Sequence, residues 1–286
     1  MSPSLQTTLF TDLDYSKYLG RFPIHQYFDI DLSEYGDPAQ KISYPLNDSI
    51  DPSANVELDD LIRLHYLITT RRVTTVLEFG AGKSSIAIAD ALYDNHSLHS
   101  EYVGDSLRRN NSFELHSIDS SAIWLSKASS SLPEHLVPHA HFHLCEVFVS
   151  EFNGRMCTYY NDLPNICPDL IYLDGPDLFS PTASVRGLTT AHKDRMPMAA
   201  DVLTIEHFLT PGTLIVVDGR AANARFLRCN LQRHWSYNYL EELDQHFFEL
   251  LEPPLGLYNQ MQIEYCLGQK FFDRLHESLV TNVPCN

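Results

Sequence analysis

From Val56 onward, apolar positions alternate between helical and extended spacing. Leu58, Leu61, Ile62, Leu64, His65 and Ile68 form a helical stripe, closed by Arg71-Arg72, whose charges suit a helix C-terminus. Val73 to Phe79 is a short β-branched run leading into a Gly80-Ala81-Gly82 turn, and Ser84 to Leu92 is small and apolar, as in a helix pressed on a sheet. The polar stretch 94–112 reads as an insertion loop. Phe113 to Ile118, Phe142 to Val149 and Asp169 to Leu173 predict further strands, with a helix over Ala122 to Ser130. After a polar loop to Arg195, Pro197 suits a helix start and Met198 to Leu209 its continuation. Pro211-Gly212 is a turn, Leu214 to Val217 a fifth strand and Ala222 to Gln232 a helix. Tyr237 to Leu240 and Phe247 to Leu251 read as a hairpin turning about Asp244. This alternation predicts an α/β fold: a doubly wound, mostly parallel seven-stranded sheet with helices on both faces and a late antiparallel hairpin. Residues 1–55 lack sustained periodicity and read as an extended N-terminal extension packing on a core formed by 56–286.

Composition narrows the partners. Hydrophobic residues make up 44% and charged residues 20% of the 286, ordinary for a globular chain. The formal net charge is −17, which repels a phosphate backbone, so nucleic acid is not an expected partner. Arg220, Arg225, Arg228 and Arg233 recur at helical spacing, which fits a solvated helix face better than an anion site. The apolar runs are strand-length, short of the roughly 20 residues of a membrane span, and Met1 to Thr7 lacks the pattern of a secretory signal, so the expected location is cytoplasmic, away from membranes. The six cysteines show no C-x-x-C pair and are expected to be reduced and mostly buried. His139, His141 and His143 alternate, which on a strand puts them on one face; half-buried strand alternation explains this better than a metal cluster does.

In open α/β sheets, ligands bind beyond the carboxyl ends of the strands. The first strand ends in Glu78-Phe79-Gly80-Ala81-Gly82-Lys83-Ser84-Ser85, where glycine lets the backbone turn and approach a ligand. It lacks the third glycine of a dinucleotide fingerprint and the glycine spacing of a Walker loop. The second strand ends in Asp119-Ser120-Ser121, where a carboxylate can accept hydrogen bonds from a ribose or can cap the next helix. The fourth ends in Asp174-Gly175-Pro176-Asp177 and the fifth in Asp218-Gly219-Arg220.

Together these segments resemble the class I (Rossmann-like) S-adenosylmethionine-dependent methyltransferases. Val76 to Gly82 looks like that family's first motif with Glu78 as its acid, Phe113 to Asp119 like its second, Asp169 to Gly175 like its fourth-strand motif, and Leu209 to Asp218 like its L-x-P-G-G turn and fifth strand, with Thr213 in place of the second glycine. The resemblance implies an enzyme that binds S-adenosylmethionine through Glu78, Gly80, Ala81, Gly82, Ser84, Ser85, Asp119, Ser120 and Asp174. It implies methylation of a small-molecule or sugar-like hydroxyl. Proton removal would fall to Asp174, to Asp218 or to His192 on the loop after the fourth strand, with Asp177, Arg195 and Arg220 as acceptor contacts. Metal-dependent members place acidic ligands where Asp174 and Asp218 stand, and carboxylates favour a hard divalent cation such as Mg²⁺; those members often add an amide directly after the fifth strand, and here Asn223 is the nearest. Competing readings are a nucleotide- or NAD-binding oxidoreductase or epimerase, and a non-catalytic methyltransferase-like binding protein.

Overall fold

The computed structural model describes residues 9–35, 37–39 and 56–281. The boundary drawn at residue 55, and the reading of residues 1–8 and 40–55, lie outside the described residues. Helices are α1 (Tyr15–Arg21), α2 (Leu32–Tyr35), α3 (Leu58–Thr70), α4 (Lys83–Ser106), α5 (Ala122–Ser130), α6 (Asp201–Ile205), α7 (Ala221–Asn230), α8 (Leu257–Cys266) and α9 (Gln269–Thr281). Strands are β1 (Thr75–Phe79), β2 (Glu114–Asp119), β3 (Ala140–Leu144), β4 (Val147–Phe152), β5 (Arg155–Tyr160), β6 (Leu170–Leu173), β7 (Leu214–Asp218), β8 (Trp235–Leu240) and β9 (Gln245–Leu250).

Seven strands form one sheet in the order β3-β2-β1-β6-β7-β9-β8, as the alternation predicts. The first five are mutually parallel, and β9 runs antiparallel to both β7 and β8. All five residues of β1 and all four of β6 are buried, as expected for parallel strands covered on both faces. The direction of winding reverses between β1 and β6, so the crevice beyond their carboxyl ends is the topological switch point.

Several expectations are corrected. The stretch 94–112 is not a loop up to Ser106, because α4, 24 residues long from Lys83, runs on through it to that point. Its outer half looks polar because only a narrow stripe is covered: Val103 packs with Leu107 and Phe113, and Asn95 Nδ2 donates to the carbonyls of Ile68 and Val73 at 3.0 Å each. The single strand expected at 142–149 is two. β3 ends at Leu144, and β4 pairs with β5 in a separate antiparallel hairpin. Asn153 and Gly154, both at positive φ (49° and 70°), turn that hairpin. The helix expected over 198–209 shortens to α6 and a 3-10 turn, Glu206–Phe208, because Ala199 bridges to Thr158 of β5. There Thr158 N donates to Met198 O at 2.9 Å and Ala200 N to Thr158 O at 3.0 Å.

The described part of the N-terminal segment is helical rather than extended, and Leu19 and Ile24 bury against Leu58, Leu61 and Ile62. Helices α8 and α9, not anticipated, bury Ile263, Phe271 and Leu275 on Leu251. The arginines do not form one solvated face: Arg233 pairs with Glu252 at 2.6 Å, and Arg228 lies over the Tyr237 ring. Cys145 and Cys157 are buried as expected, whereas Cys167 and Cys229 are exposed; Cys285 lies outside the described residues. Among the described residues, no helix is long and apolar enough to cross a membrane.

Candidate functional site

The switch-point crevice is built on a contact between two backbones. Gly80, at φ +101°, ends β1 directly against Gly175, which follows β6. A Cβ on Gly175 would lie 2.7 Å from Gly80 N and 2.8 Å from Phe79 C, so neither strand end can carry a side chain there. Both loops leave the sheet at this point, carrying Asp174 and the Gly80-Ala81-Gly82 turn to the same mouth.

Glu78 does not face the crevice itself. It is fully buried, and its two oxygens accept from Ser84 Oγ at 2.6 Å and Ser85 Oγ at 2.5 Å. Ser85 Oγ in turn accepts from Gly82 N at 3.1 Å, so the acid fixes the glycine turn to the start of α4 through two hydroxyls. Burial pushes the Glu78 carboxyl up to about 7, with hydroxyls from Ser117, Ser84 and Ser85 opposing and the Asp119 charge adding. Gly82 caps α4, whose N-terminus, with its positive dipole end, therefore begins at the turn.

Asp119 closes the other side. Its Oδ2 accepts from Ala81 N at 3.0 Å and its Oδ1 from Ser121 N at 2.7 Å, joining the ends of β1 and β2. The cap of the following helix is Ser121, not Asp119: Ser121 Oγ accepts from Trp124 N at 3.3 Å. Asp119 is half-buried, and burial holds its carboxyl above the usual range, with the backbone N–H groups of Ser121, Ala81 and Ser120 opposing.

Asp174 opens to the crevice, with 55% of its side chain exposed. The surrounding protein still displaces enough water, together with the nearby Asp218 charge, to hold its carboxyl above the usual range against the pull of Arg220. Arg220 reaches across from the end of β7, its Nη2 donating to the carbonyls of Asp174 at 2.6 Å and Pro176 at 2.8 Å, its Nε 3.5 Å from Asp174 Oδ1. Asp218 is raised by burial, and both its oxygens are engaged: Oδ2 accepts from Tyr172 Oη and Oδ1 from Gln245 Nε2 at 3.2 Å. Gln245 is itself tied to Asp60 and Arg63 of α3, so Asp218 ends a buried network reaching the far helix.

The remaining candidates lie in the loop between β6 and α6. Asp177 Oδ2 accepts from Phe179 N at 2.9 Å within its own turn, yet its charge reaches Asp119. His192 is exposed, and its Nδ1 accepts from Asp194 N at 3.2 Å, with Asp194 Oδ2 3.9 Å away. Arg195 Nη1 donates to Thr189 O, which pins it within the loop. Thus the structure gathers Asp119, Asp174, Asp218 and Arg220, but gives His192 and Arg195 partners only in their own segment.

Asn223, the first amide after β7 in sequence, clamps that loop. Its Oδ1 accepts from Ala199 N at 3.0 Å and its Nδ2 donates to Ala199 O at 2.9 Å. At the loop's other end, Thr182 exchanges hydrogen bonds with Val147 and Val149 of β4. The hairpin that supports the loop also supplies a site residue not anticipated. Tyr160, at the end of β5, packs its ring 5.8 Å from that of Phe79 and feels the charges of Asp119, Asp201 and Arg220. Tyr160 Oη and Arg220 Nη1 are among the buried side-chain polar atoms that have no hydrogen-bond partner among the described residues. The Asn153-Gly154 turn is the sequence signal that could have revealed the hairpin and hence Tyr160.

No protein-family model and no curated protein match the sequence. Among solved structures the chain is similar to the O-methyltransferase TomG from Streptomyces achromogenes, involved in tomaymycin synthesis and determined in complex with SAM. The two share 18% identity over 85% of this chain and 92% of that one, with a TM-score of 0.36. That likeness is too loose to bear on function.

Proposed function

We propose that this crevice binds S-adenosylmethionine and that the protein transfers its methyl group to a hydroxyl of a small or sugar-like acceptor. The observation that carries the reading is the charge of the crevice. Glu78, Asp119, Asp174 and Asp218, from four neighbouring strands, are all held above the usual carboxyl range, and Arg220 is the cation set against them. Burial is the first cause at each, with the Asp218 charge adding at Asp174, and a nucleoside ligand with net positive charge is favoured there because it stabilises the ionised carboxyls. S-adenosylmethionine has two positive groups and one negative. A dinucleotide or a nucleotide-sugar would instead bring a negative pyrophosphate among carboxylates. The sheet order and the four strand-end motifs agree with the class I methyltransferase resemblance.

When bound, S-adenosylmethionine supplies an electrophilic methyl carbon on a sulfonium. Asp119 accepts from the ribose hydroxyls while its backbone partners hold it in place. The Gly80–Gly82 turn, free of side chains at its tightest point, lets the backbone come close to the ligand. Asp174 is the group we place at the acceptor: it is open to the crevice, and its raised pKa suits removal of a hydroxyl proton near neutral pH. Arg220 holds the turn that carries Asp174, and the loop clamped by Asn223 covers the acceptor side. A divalent cation on Asp174 and Asp218 is the less favoured route, because both Asp218 oxygens already accept hydrogen bonds.

Calorimetry with S-adenosylmethionine, NAD and a UDP-sugar tests the reading. Binding of the first alone is expected. Binding of NAD or the UDP-sugar without it favours an oxidoreductase or epimerase, and binding without turnover on any hydroxyl acceptor favours a non-catalytic relative.

A further inference from the structure

We propose that Glu114, His116 and His141 form a site for a divalent first-row transition ion such as Zn²⁺, on the edge of the sheet and apart from the crevice. Strand alternation puts the residues together. Glu114 and His116 are two apart on β2, and His141 and His143 are two apart on the edge strand β3. In the parallel register His116 lies opposite His141, so all four side chains share one face. The alternating histidines thus have a partner pair on the neighbouring strand. His139 does not join them: it precedes β3, and its Nδ1 bonds to Phe113 O at 2.8 Å.

The donor atoms have the spacing an ion requires. Zinc binds imidazole nitrogen and carboxylate oxygen at about 2.0–2.2 Å, so two ligand atoms in a tetrahedral shell sit about 3.3–3.5 Å apart. Here His116 Nε2 is 3.0 Å and His141 Nε2 3.7 Å from Glu114 Oε2, and the three atoms lie within 4.8 Å of one another. Two imidazoles and one carboxylate form a ligand set used for zinc, with a fourth position left to water or to a further ligand. The surroundings supply the orienting contacts such sites need. Asn111 Nδ2 donates to Glu114 Oε2 at 2.8 Å, and His116 Nδ1 lies 3.1 Å from His143 Nε2 with the two rings nearly parallel. With His116 Nδ1–H donating to His143 Nε2, the Nε2 lone pair of His116 points at the ion. In the metal-free pair the same two protons sit one nitrogen further along, so binding shifts protons between neutral rings without changing their number. His141 is 44% exposed, which leaves an entry path.

Among the described residues, the other group of this kind, His65 with Asp90 and Asp94, is less suited. His65 is fully buried and its Nδ1 is already bonded to Tyr18 Oη at 2.7 Å, while Asp90 accepts from Tyr27 Oη at 2.7 Å, which makes that group an anchor for the N-terminal segment.

The test is calorimetric titration of the full chain with zinc chloride near pH 7.5, followed by cobalt(II) as a spectroscopic probe. One equivalent of zinc should bind to the wild-type chain. His141→Ala, at a half-exposed position that leaves the fold intact by circular dichroism, should weaken binding by at least about tenfold, as should Glu114→Gln. His143→Ala should weaken it about tenfold while keeping the stoichiometry, because that residue only orients His116. The visible d–d bands of four-coordinate cobalt should appear in the wild-type chain and disappear in His141→Ala. Failure of the wild-type chain to bind zinc at millimolar concentration overturns the proposal and leaves a hydrogen-bonded ladder. Wild-type affinity in a folded His141→Ala also overturns it, by placing the ion elsewhere.

Discussion

Replacing Glu78 by Gln tests whether a proton is held beneath the crevice. The residue is fully buried on β1, and burial lifts its carboxyl from an ordinary 4.5 to about 7. A carboxyl whose pKa is higher in the folded state than in the unfolded one destabilises the fold wherever it must ionise. The penalty is absent below about 4.5, grows through the interval up to about 7 and is constant above it. At about 1.4 kcal/mol per pKa unit, its full size is about 3.5 kcal/mol, of which about 2.5 kcal/mol accrues between pH 5 and pH 8. Gln has the same shape and cannot ionise. Its carbonyl still accepts from one of Ser84 and Ser85, and its amide can donate to the other hydroxyl. Any change in those contacts adds an offset that does not vary with pH. Urea unfolding of both proteins at pH 5, 6, 7 and 8 isolates the varying part. The stability of Glu78→Gln relative to the wild type should rise by about 2.5 kcal/mol from pH 5 to pH 8, most steeply below pH 7. A difference that stays flat within about 0.5 kcal/mol over that range would refute the buried proton.

Three further changes probe the crevice. Asp119→Ala should weaken S-adenosylmethionine binding by about 1.5–3 kcal/mol, the worth of hydrogen bonds to a charged group, while the protein stays folded; unchanged affinity in calorimetry removes Asp119 from the ribose site. Asp174→Asn should abolish methyl transfer in a turnover assay yet keep cofactor affinity within about tenfold, near 1.4 kcal/mol; a variant that still turns over takes Asp174 out of proton removal. Gly175→Ala forces a Cβ to within 2.7 Å of the Gly80 backbone, where no flexible side chain can give way. It should cost about 1–3 kcal/mol or more in urea unfolding, and a variant of wild-type stability disproves the tight contact.

The parts of the fold that were legible in the sequence are those that physics writes as continuous runs. β1, β6 and β7 are parallel strands covered on both faces, so nearly every position is apolar or hydrogen-bonded, and the acid at or just past the end of each (Glu78, Asp174, Asp218) stands out against it. The late hairpin was readable because Asp244, at φ 52°, turns between two aromatic runs. Illegible parts had mixed patterns. The second half of α4 keeps apolar contact mainly at Val103, so its helical period is diluted by polar residues. The β4–β5 hairpin follows β3 after two residues, and a single run of apolar residues concealed the break at Cys145-Glu146. Tyr160 therefore went unnoticed at the crevice, although its turn is an ordinary Asn-Gly pair. What no local pattern reveals is a partner far along the chain. Asp218 looked like a free acid because Gln245, 27 residues later, and Tyr172, 46 residues earlier, claim its oxygens only once the sheet has formed.

That long-range engagement separates the acids by role. Glu78 is sealed under the turn and Asp218 is tied to the network that ends in α3, so neither needs to touch a ligand to act on one. Each shapes the crevice from behind, Glu78 by fixing the glycine turn to α4 through Ser84 and Ser85, and Asp218 through its bonds to Tyr172 and Gln245. Asp119 and Asp174 are left as the acids with access, one half-buried among backbone N–H groups and one open to solvent. The first is rigid enough to hold two hydroxyl groups in place, and the second stays free to take up a proton. Transfer of a methyl group from a sulfonium removes one positive charge from the ligand, so the attraction that draws the reactant into an acidic crevice is weaker for the product. On the proposed function, the carboxyls that favour cofactor binding would therefore also favour product release.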